Sequence, residues 1–147
     1  MVSDQSLASI HVAVERKSRY VVISRLKRNR AIDVKRALVT KMKCFPQKAR
    51  SSFTYDRGGE NGKHQEVDAA LGSIAYFCTA YRGWEKGTVE NTIGIIRRVI
   101  PKRTDLGRFS SHQIRTLQSR LNNRPRKCLD FRTAAEVFKK ELVALQY

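Results

Sequence analysis

The sequence predicts a single α/β domain, and three observations carry that expectation. Strand-like and helix-like apolar periods follow one another in the order β-β-α-β-α-β-α-α-α. The length, 147 residues, suits one domain with a moderate core. An apolar content of 41% is compatible with globular folding, and no repeat or low-complexity linker divides the chain.

The elements follow from local pattern. In Ala8 to Val14, Ser9, His11 and Ala13 alternate with Ile10, Val12 and Val14, which reads as a half-buried strand. Glu15 to Ser18 is a polar turn with a solvated tip. Arg19 to Leu26 is β-rich again, so the two runs form a hairpin. Asn29 to Lys43 carries Val34, Leu38 and Met42 on one helical stripe, with Asn29 or Asp33 as the start signal and Phe45-Pro46 as the stop. Ser51 to Tyr55 is a short strand that runs into Asp56 and the Gly58-Gly59 turn. His64 to Leu71 is a short helix with Val67, Ala70 and Leu71 inward and Gly72 as its cap. Ile74 to Cys78 reads as another buried strand. A loop with Tyr81 and Trp84 leads to a helix that ends near Ile100, before Pro101. Val89, Ile93, Ile96 and Ile100 are its expected core stripe, with Glu90, Gly94 and Arg97 on a neighbouring face. Ser110-Ser111 caps a helix with Ile114, Leu117 and Leu121 inward, which breaks at Asn122 to Lys127. Thr133 caps the last helix, with Ala134, Val137, Phe138 and Leu142 inward.

Charge narrows the function. Thirty Lys and Arg face 13 Asp and Glu, a net charge of +17. Such an excess destabilises a compact monomer unless an anion is near. Nucleic acid is the first expectation and an acidic membrane surface the second. Arg16 to Arg50 holds 13 basic residues and one acid, Asp33; Arg97 to Lys127 holds ten and one acid, Asp105. Cys44, Cys78 and Cys128 form no CxxC pair or disulfide framework, and His11, His64 and His112 lie at no zinc-finger spacing from them. The expected compartment is a reducing cytoplasm, with no signal peptide and no apolar run near the roughly 20 residues that span a membrane.

Two acidic residues carry the candidate chemistry. Asp56 stands where an apolar strand gives way to glycines, and Glu90 stands in the first turn of a helix, with 33 residues between them. The helix dipole there favours the ionised carboxylate. Two such carboxylates can hold a hard divalent ion, and such an ion can activate an attacking oxygen at a phosphodiester. A strand-end Asp is also a turn former, and a first-turn Glu is also a plain dipole partner. Tyr81 and Trp84 either stack on a base or pack in the core. His64 either lies near the metal or only starts its helix. Gly94 admits either a DNA backbone or a close helix neighbour. Glu60 and Glu85 are read as supporting or solvated carboxylates.

ERKSRY (Glu15 to Tyr20), TYDRGGENGKH (Thr54 to His64), YRGWEKGTVENTIGIIRR (Tyr81 to Arg98), PKRTDL (Pro101 to Leu106) and LNNRPRKCL (Leu121 to Leu129) form a set. In content and order it resembles the catalytic core of bacterial insertion-sequence transposases of the IS-thirty type, in the DDE integrase superfamily. The resemblance implies an RNase H-like mixed sheet flanked by helices. It implies a partial catalytic core over residues 1–104 and a basic helical segment of the same domain over 105–147. It makes Asp56 and Glu90 two of three metal ligands, with Mg²⁺ or Mn²⁺ as cofactor. The first Asp of the triad has no counterpart. It lies on a strand that would precede Met1, and Asp4 falls in the polar stretch after that strand. A family helix-turn-helix is likewise not matched.

Arg97, Arg98, Lys102, Arg103, Arg124, Arg126 and Lys127 are the expected DNA contacts. The implied partners are element ends, target DNA, and further copies of this chain or of an intact transposase, with localisation at the nucleoid. Arg57 and Asn61 stand where the family often has Asn and Phe. Ala80 replaces its usual Pro, and Asp130 and Ala135 its Gly and Pro. The expected function is DNA transposition by an impaired copy that, lacking a central strand, is unstable or self-associates alone. The alternative is a non-catalytic DNA-binding protein that modulates an intact transposase. A nuclease acting on RNA–DNA hybrids is disfavoured by the loop and LNNRPRK blocks.

Overall fold

One strand explains most of the core. The computed structural model describes residues 1, 6–79 and 87–145. In it β1 (Ser9–Val14) pairs antiparallel with β2 (Val21–Leu26), Val12 opposite Ile23. Side chains alternate across a strand, so β2 feeds two cores. Val21 and Ile23 join Ile10, Ile96, Ile100, Leu106, Ile114, Leu117 and Leu121 on one face. Val22 joins Leu38, Met42, Tyr55, Val67 and Leu71 on the other. Burial on both faces is why Tyr20 to Ile23 is apolar without alternation.

Helices cover both faces. α1 (Ala31–Met42) packs on β2 and on α2 (His64–Leu71); α3 (Gly87–Val99) packs on β1; α4 (Ser111–Asn122) packs on β2. α5 (Ala134–Ala144) builds a small cluster with Leu129 and stacks Phe138 on Tyr20 at 4.4 Å. β3 (Ser52–Tyr55) and β4 (Ile74–Phe77) form a parallel pair. The element order is the one that periodicity predicts. The expected mixed sheet is divided among the described residues into two two-stranded sheets, one antiparallel and one parallel. Beyond β1, Met1 and Ile10 exchange two backbone hydrogen bonds of 2.8 Å, so Met1 already lies along the outer edge of that strand.

Several local expectations hold for local reasons. Ser110 with Gln113 and Thr133 with Glu136 each form a complete capping box. Gly72 ends α2 at φ +63°, where a Cβ would come within 2.7 Å of the Gln47 amide. The three cysteines are free. No helix of the described residues is long and apolar enough to cross a membrane.

Other expectations are corrected. Neither Asn29 nor Asp33 caps α1: Arg30 occupies that position without a side-chain cap, Asn29 accepts from Ser9 Oγ at 3.3 Å, and Asp33 pairs with Arg30. β4 is not buried. Ile74, Tyr76 and Phe77 are 59%, 55% and 42% exposed, because α2 covers one face and no described element covers the other. Ala70 is exposed on α2. On α3 the buried line is Thr92, Ile96 and then Ile100, with Val89 and Ile93 only half-buried. Thr92 can take a buried place because its hydroxyl is satisfied inside the helix, donating to Thr88 O at 2.9 Å. Asp4, Ala80, Tyr81, Trp84 and Glu85 lie outside the described residues.

Candidate active site

Tyr55, the last residue of β3, is buried, and the strand delivers Asp56 half-buried just beyond its end. The loop after it turns back on the carboxylate. Gly58 N–H donates to Asp56 Oδ1 at 3.2 Å, and Asn61 Nδ2 donates to the same oxygen at 2.7 Å and to Asp56 O at 3.2 Å. A single helical turn over Gly59–Asn61 sets Asn61 in that position. Such bonds fix the orientation of the carboxylate. Asp56 therefore fills the turn-forming role that the sequence offered for it, at the end of a strand. His64 starts α2, with Nδ1 3.1 Å from Asn61 O and its ring edge-on to Phe77 at 4.8 Å. It supports the segment that holds Asp56.

Charge shows what else is near. The His11 imidazole on β1 is pushed down to about 4, first by burial and then by the Met1 ammonium, with Asp56 pulling the other way. The Met1 ammonium is lowered by burial and then by Arg97, and raised by Glu60 and Asp56. These mutual fields place Met1, His11, Asp56, Glu60 and Arg97 in one neighbourhood.

Glu90 is exposed in the first turn of α3. It lies two helical turns, roughly 10 Å, from Arg97 on the same stripe. Arg97 and Asp56 both act on the Met1 ammonium, and Glu90 lies on the same helical stripe as Arg97. The start of α3 is tied to the hairpin, because Arg19 Nη1 donates to Thr88 Oγ1 at 2.7 Å. The turn that presents Arg19 is built by Glu15, which accepts from Lys17 N, Ser18 N and Ser18 Oγ at 2.9, 2.6 and 2.5 Å. ERKSRY is thus a brace for the Glu90 end of α3. Among the described residues no three His, Cys, Asp or Glu side chains gather closely enough to hold a metal ion. The chemistry of the two carboxylates suits a hard divalent cation.

The basic candidates divide. Arg98, Lys102 and Arg103 are exposed at and beyond the end of α3, while Arg97 is half-buried, with Nη1 3.5 Å from Pro101 O. Arg124 and Lys127 are exposed. Arg126 turns partly inward, with Nη2 3.4 Å from Leu121 O and its own acidity raised first by burial. It completes the end of α4.

Sequence reasoning missed Asn61 and Arg19. Asn61 had a local signal, an amide five residues beyond an Asp in a glycine turn. Arg19 had none, since its partner is 69 residues away.

No protein-family model matches the chain. It is 39% identical over 140 residues to the transposase InsI for insertion sequence element IS30A of Escherichia coli, covering 95% of this chain and 37% of that protein. It is 35% identical over 130 residues to the transposase for insertion sequence element IS1086 of Cupriavidus metallidurans, covering 88% and 38%. The chain thus spans somewhat over a third of the length of these relatives. Its fold matches the catalytic core domain of BIV integrase with a TM-score of 0.73 at 15% identity, over 100% of this chain and 94% of that one. A chain of the simian T-cell lymphotropic virus intasome matches at 0.73 and 19% identity, over 92% and 50%. By sequence the chain belongs with the IS30-type insertion-sequence transposases, and its fold is the RNase H-like fold of integrase catalytic cores.

Proposed function

We propose that the chain is the metal-ion-bearing part of a DNA transposase, cutting a phosphodiester at an element end and joining the freed 3′-hydroxyl to target DNA. The observation that carries this reading is the Asp56 carboxylate, set at a strand end by Asn61 and Gly58, with Glu90 exposed in the first turn of α3. Asp56 and Glu90 would hold Mg²⁺ or Mn²⁺. When bound, such an ion supplies charge neutralisation at the phosphate and a more acidic attacking water or hydroxyl. The chain's own part is to orient. Asn61 and Gly58 occupy Oδ1 of Asp56, and the Arg19–Thr88 bond sets the start of α3. Arg98, Lys102, Arg103, Arg124 and Lys127 hold the DNA backbone by charge, with Arg97 and Arg126 supporting the same surface from partly inward positions. Residues 105–147 act within the same domain, a reading supported by Ile114, Leu117 and Leu121 sharing a core with β1 and α3.

The second reading is a basic DNA-binding protein without cleavage, acting by mixed assembly with an intact transposase. The +17 charge favours it equally. Plasmid nicking in Mg²⁺ or Mn²⁺ separates the two. Asp56→Asn is expected to lower nicking by roughly a hundredfold or more, the scale of losing several kcal/mol of charge stabilisation, with DNA affinity unchanged. Nicking that persists in Asp56→Asn rejects the metal-site assignment. Tight binding without nicking by the unaltered chain selects the second reading.

A further inference from the structure

A groove of about 460 Å³ runs beside the outer edge of β2, between α1 and α4, and takes none of its lining from the Asp56 loop or from α3. The alternation of an antiparallel pair turns the backbone groups of Val21, Ile23 and Arg25 away from β1. α4 covers the first two. Asn122 accepts from Val21 N–H and donates to Val21 O, both at 2.8 Å, and Gln118 accepts from Ile23 N–H at 2.8 Å. One helical turn earlier, α4 presents Ile114 and Arg115 instead of an amide. The strand edge opens there, at Arg25, into the groove.

The walls are cationic. Arg25, Lys27, Arg36, Lys41 and Arg115 line it, against one acid, Asp33. That acid is already paired with Arg30 at 2.8 Å. Arg25 uses one nitrogen on Gly107 O at 2.8 Å. Of the apolar lining side chains, Ile23, Leu26 and Ile114 are 1%, 4% and 4% exposed and Ala37, half-buried, is a single methyl, so they leave no pockets for the alternate side chains of an added peptide strand. Five cations around polar backbone suit a phosphate chain.

We propose that this groove is a second nucleic-acid contact, holding the phosphate backbone of duplex DNA apart from the Asp56–Glu90 site. It rests on the reading that the chain acts on DNA, and it gives a place to the basic run between Arg16 and Arg50. The test compares R36A/K41A/R115A with a charge-matched control, K48A/K139A/K140A, in the full chain. Fluorescence anisotropy with random-sequence duplex is measured across salt concentrations. Arg36 and Arg115 are exposed and Lys41 half-buried at the surface, so circular dichroism melting should match the unaltered chain. The expected result is an affinity at least about tenfold below the control, with a log K against log salt slope shallower by roughly 2–3, one released counterion per lost phosphate contact. Equal affinity and slope in the two triples overturns the proposal while leaving the DNA reading intact. A groove triple that matches the control on DNA but changes the sedimentation of the DNA-free chain gives the groove to a second copy and also overturns it. If the unaltered chain binds no duplex, the DNA reading and this inference fall together.

Discussion

The two small sheets differ in how they are kept. The β1–β2 hairpin lies between helices, and β2 is buried at five of its six residues, with its outer edge capped at Val21 and Ile23 by the amides of Asn122 and Gln118. The β3–β4 pair is short, its outer strand is largely exposed, and it carries Asp56. The first sheet is a fixed frame. The second is a platform that leaves a carboxylate where a ligand can reach it. The difference teaches that stability and presentation are divided between them, with α3 as the part that touches both roles: Ile96 in the core, Glu90 in the open.

The sharpest way to break that comparison is to cut equally into both sheets. Ile23→Ala removes a side chain that is 1% exposed between α4 and the hairpin, and should cost about 2–5 kcal/mol. Tyr76→Ala on β4, where the side chain is 55% exposed, should cost within about 1 kcal/mol. Urea unfolding of both variants checks the contrast. Similar losses would mean that β3–β4 is as much a part of the stabilising core as the hairpin.

A smaller effect probes the seam between the sheets, where His11 faces Asp56. The pKa of His11 falls from 6.5 to about 4 on folding, chiefly through burial. Above pH 6.5 the imidazole is neutral in both states and contributes nothing. Between pH 6.5 and about 4 the unfolded chain takes up a proton that the folded chain refuses, so stability falls as pH falls. The loss should be on the order of 3 kcal/mol between pH 7 and pH 4. His11→Gln should remove it. Unfolding free energies across that range would show the unaltered chain losing stability relative to the variant as acid is added. Parallel curves would show His11 to be accessible to protons in the fold.

What could be read from the sequence follows the range of each interaction. Capping boxes at Ser110 and Thr133 and the Gly72 stop are decided within four residues, and each was legible. Element order was legible because two-residue and 3.6-residue periods are local. The burial of β4 was not, because apolar content says nothing about whether a second face is covered. The turn of α3 that faces the core was misread because a satisfied Thr92 hydroxyl looks polar in sequence and is buried in the fold. The strand-end place of Asp56 and the first-turn place of Glu90 were legible. Arg19 and Asn122, which work 69 and 101 residues away, leave no local pattern.

The smallest effect sits in the segment after α4. Asp130 ends a single helical turn over Lys127–Leu129 at φ +52°, and Phe131 follows at φ +60°. Two successive left-handed residues with side chains are costly, since Cβ crowds the following carbonyl oxygen. Asp is among the side chains that tolerate this region, by local hydrogen bonding, whereas a bulky aromatic is not. Asp130 is also a position where the resemblance to IS30-type transposases predicts Gly, the residue that takes this conformation freely. Its carboxylate pairs with Arg132, 3.6 Å away between side chains that are both at least half exposed, an ion pair of little worth. Replacing Asp130 with Gly should therefore relieve more in the folded state than it adds in chain freedom to the unfolded one. The net gain should be about 0.5–1 kcal/mol, read as a rise of a few degrees in Tm. The gain belongs to the frame and not to the platform, so nicking and DNA affinity should not change. A lower Tm in Asp130→Gly would show that the Asp carboxylate holds the turn, and that the left-handed pair is maintained by side-chain bonding and not merely endured by the backbone.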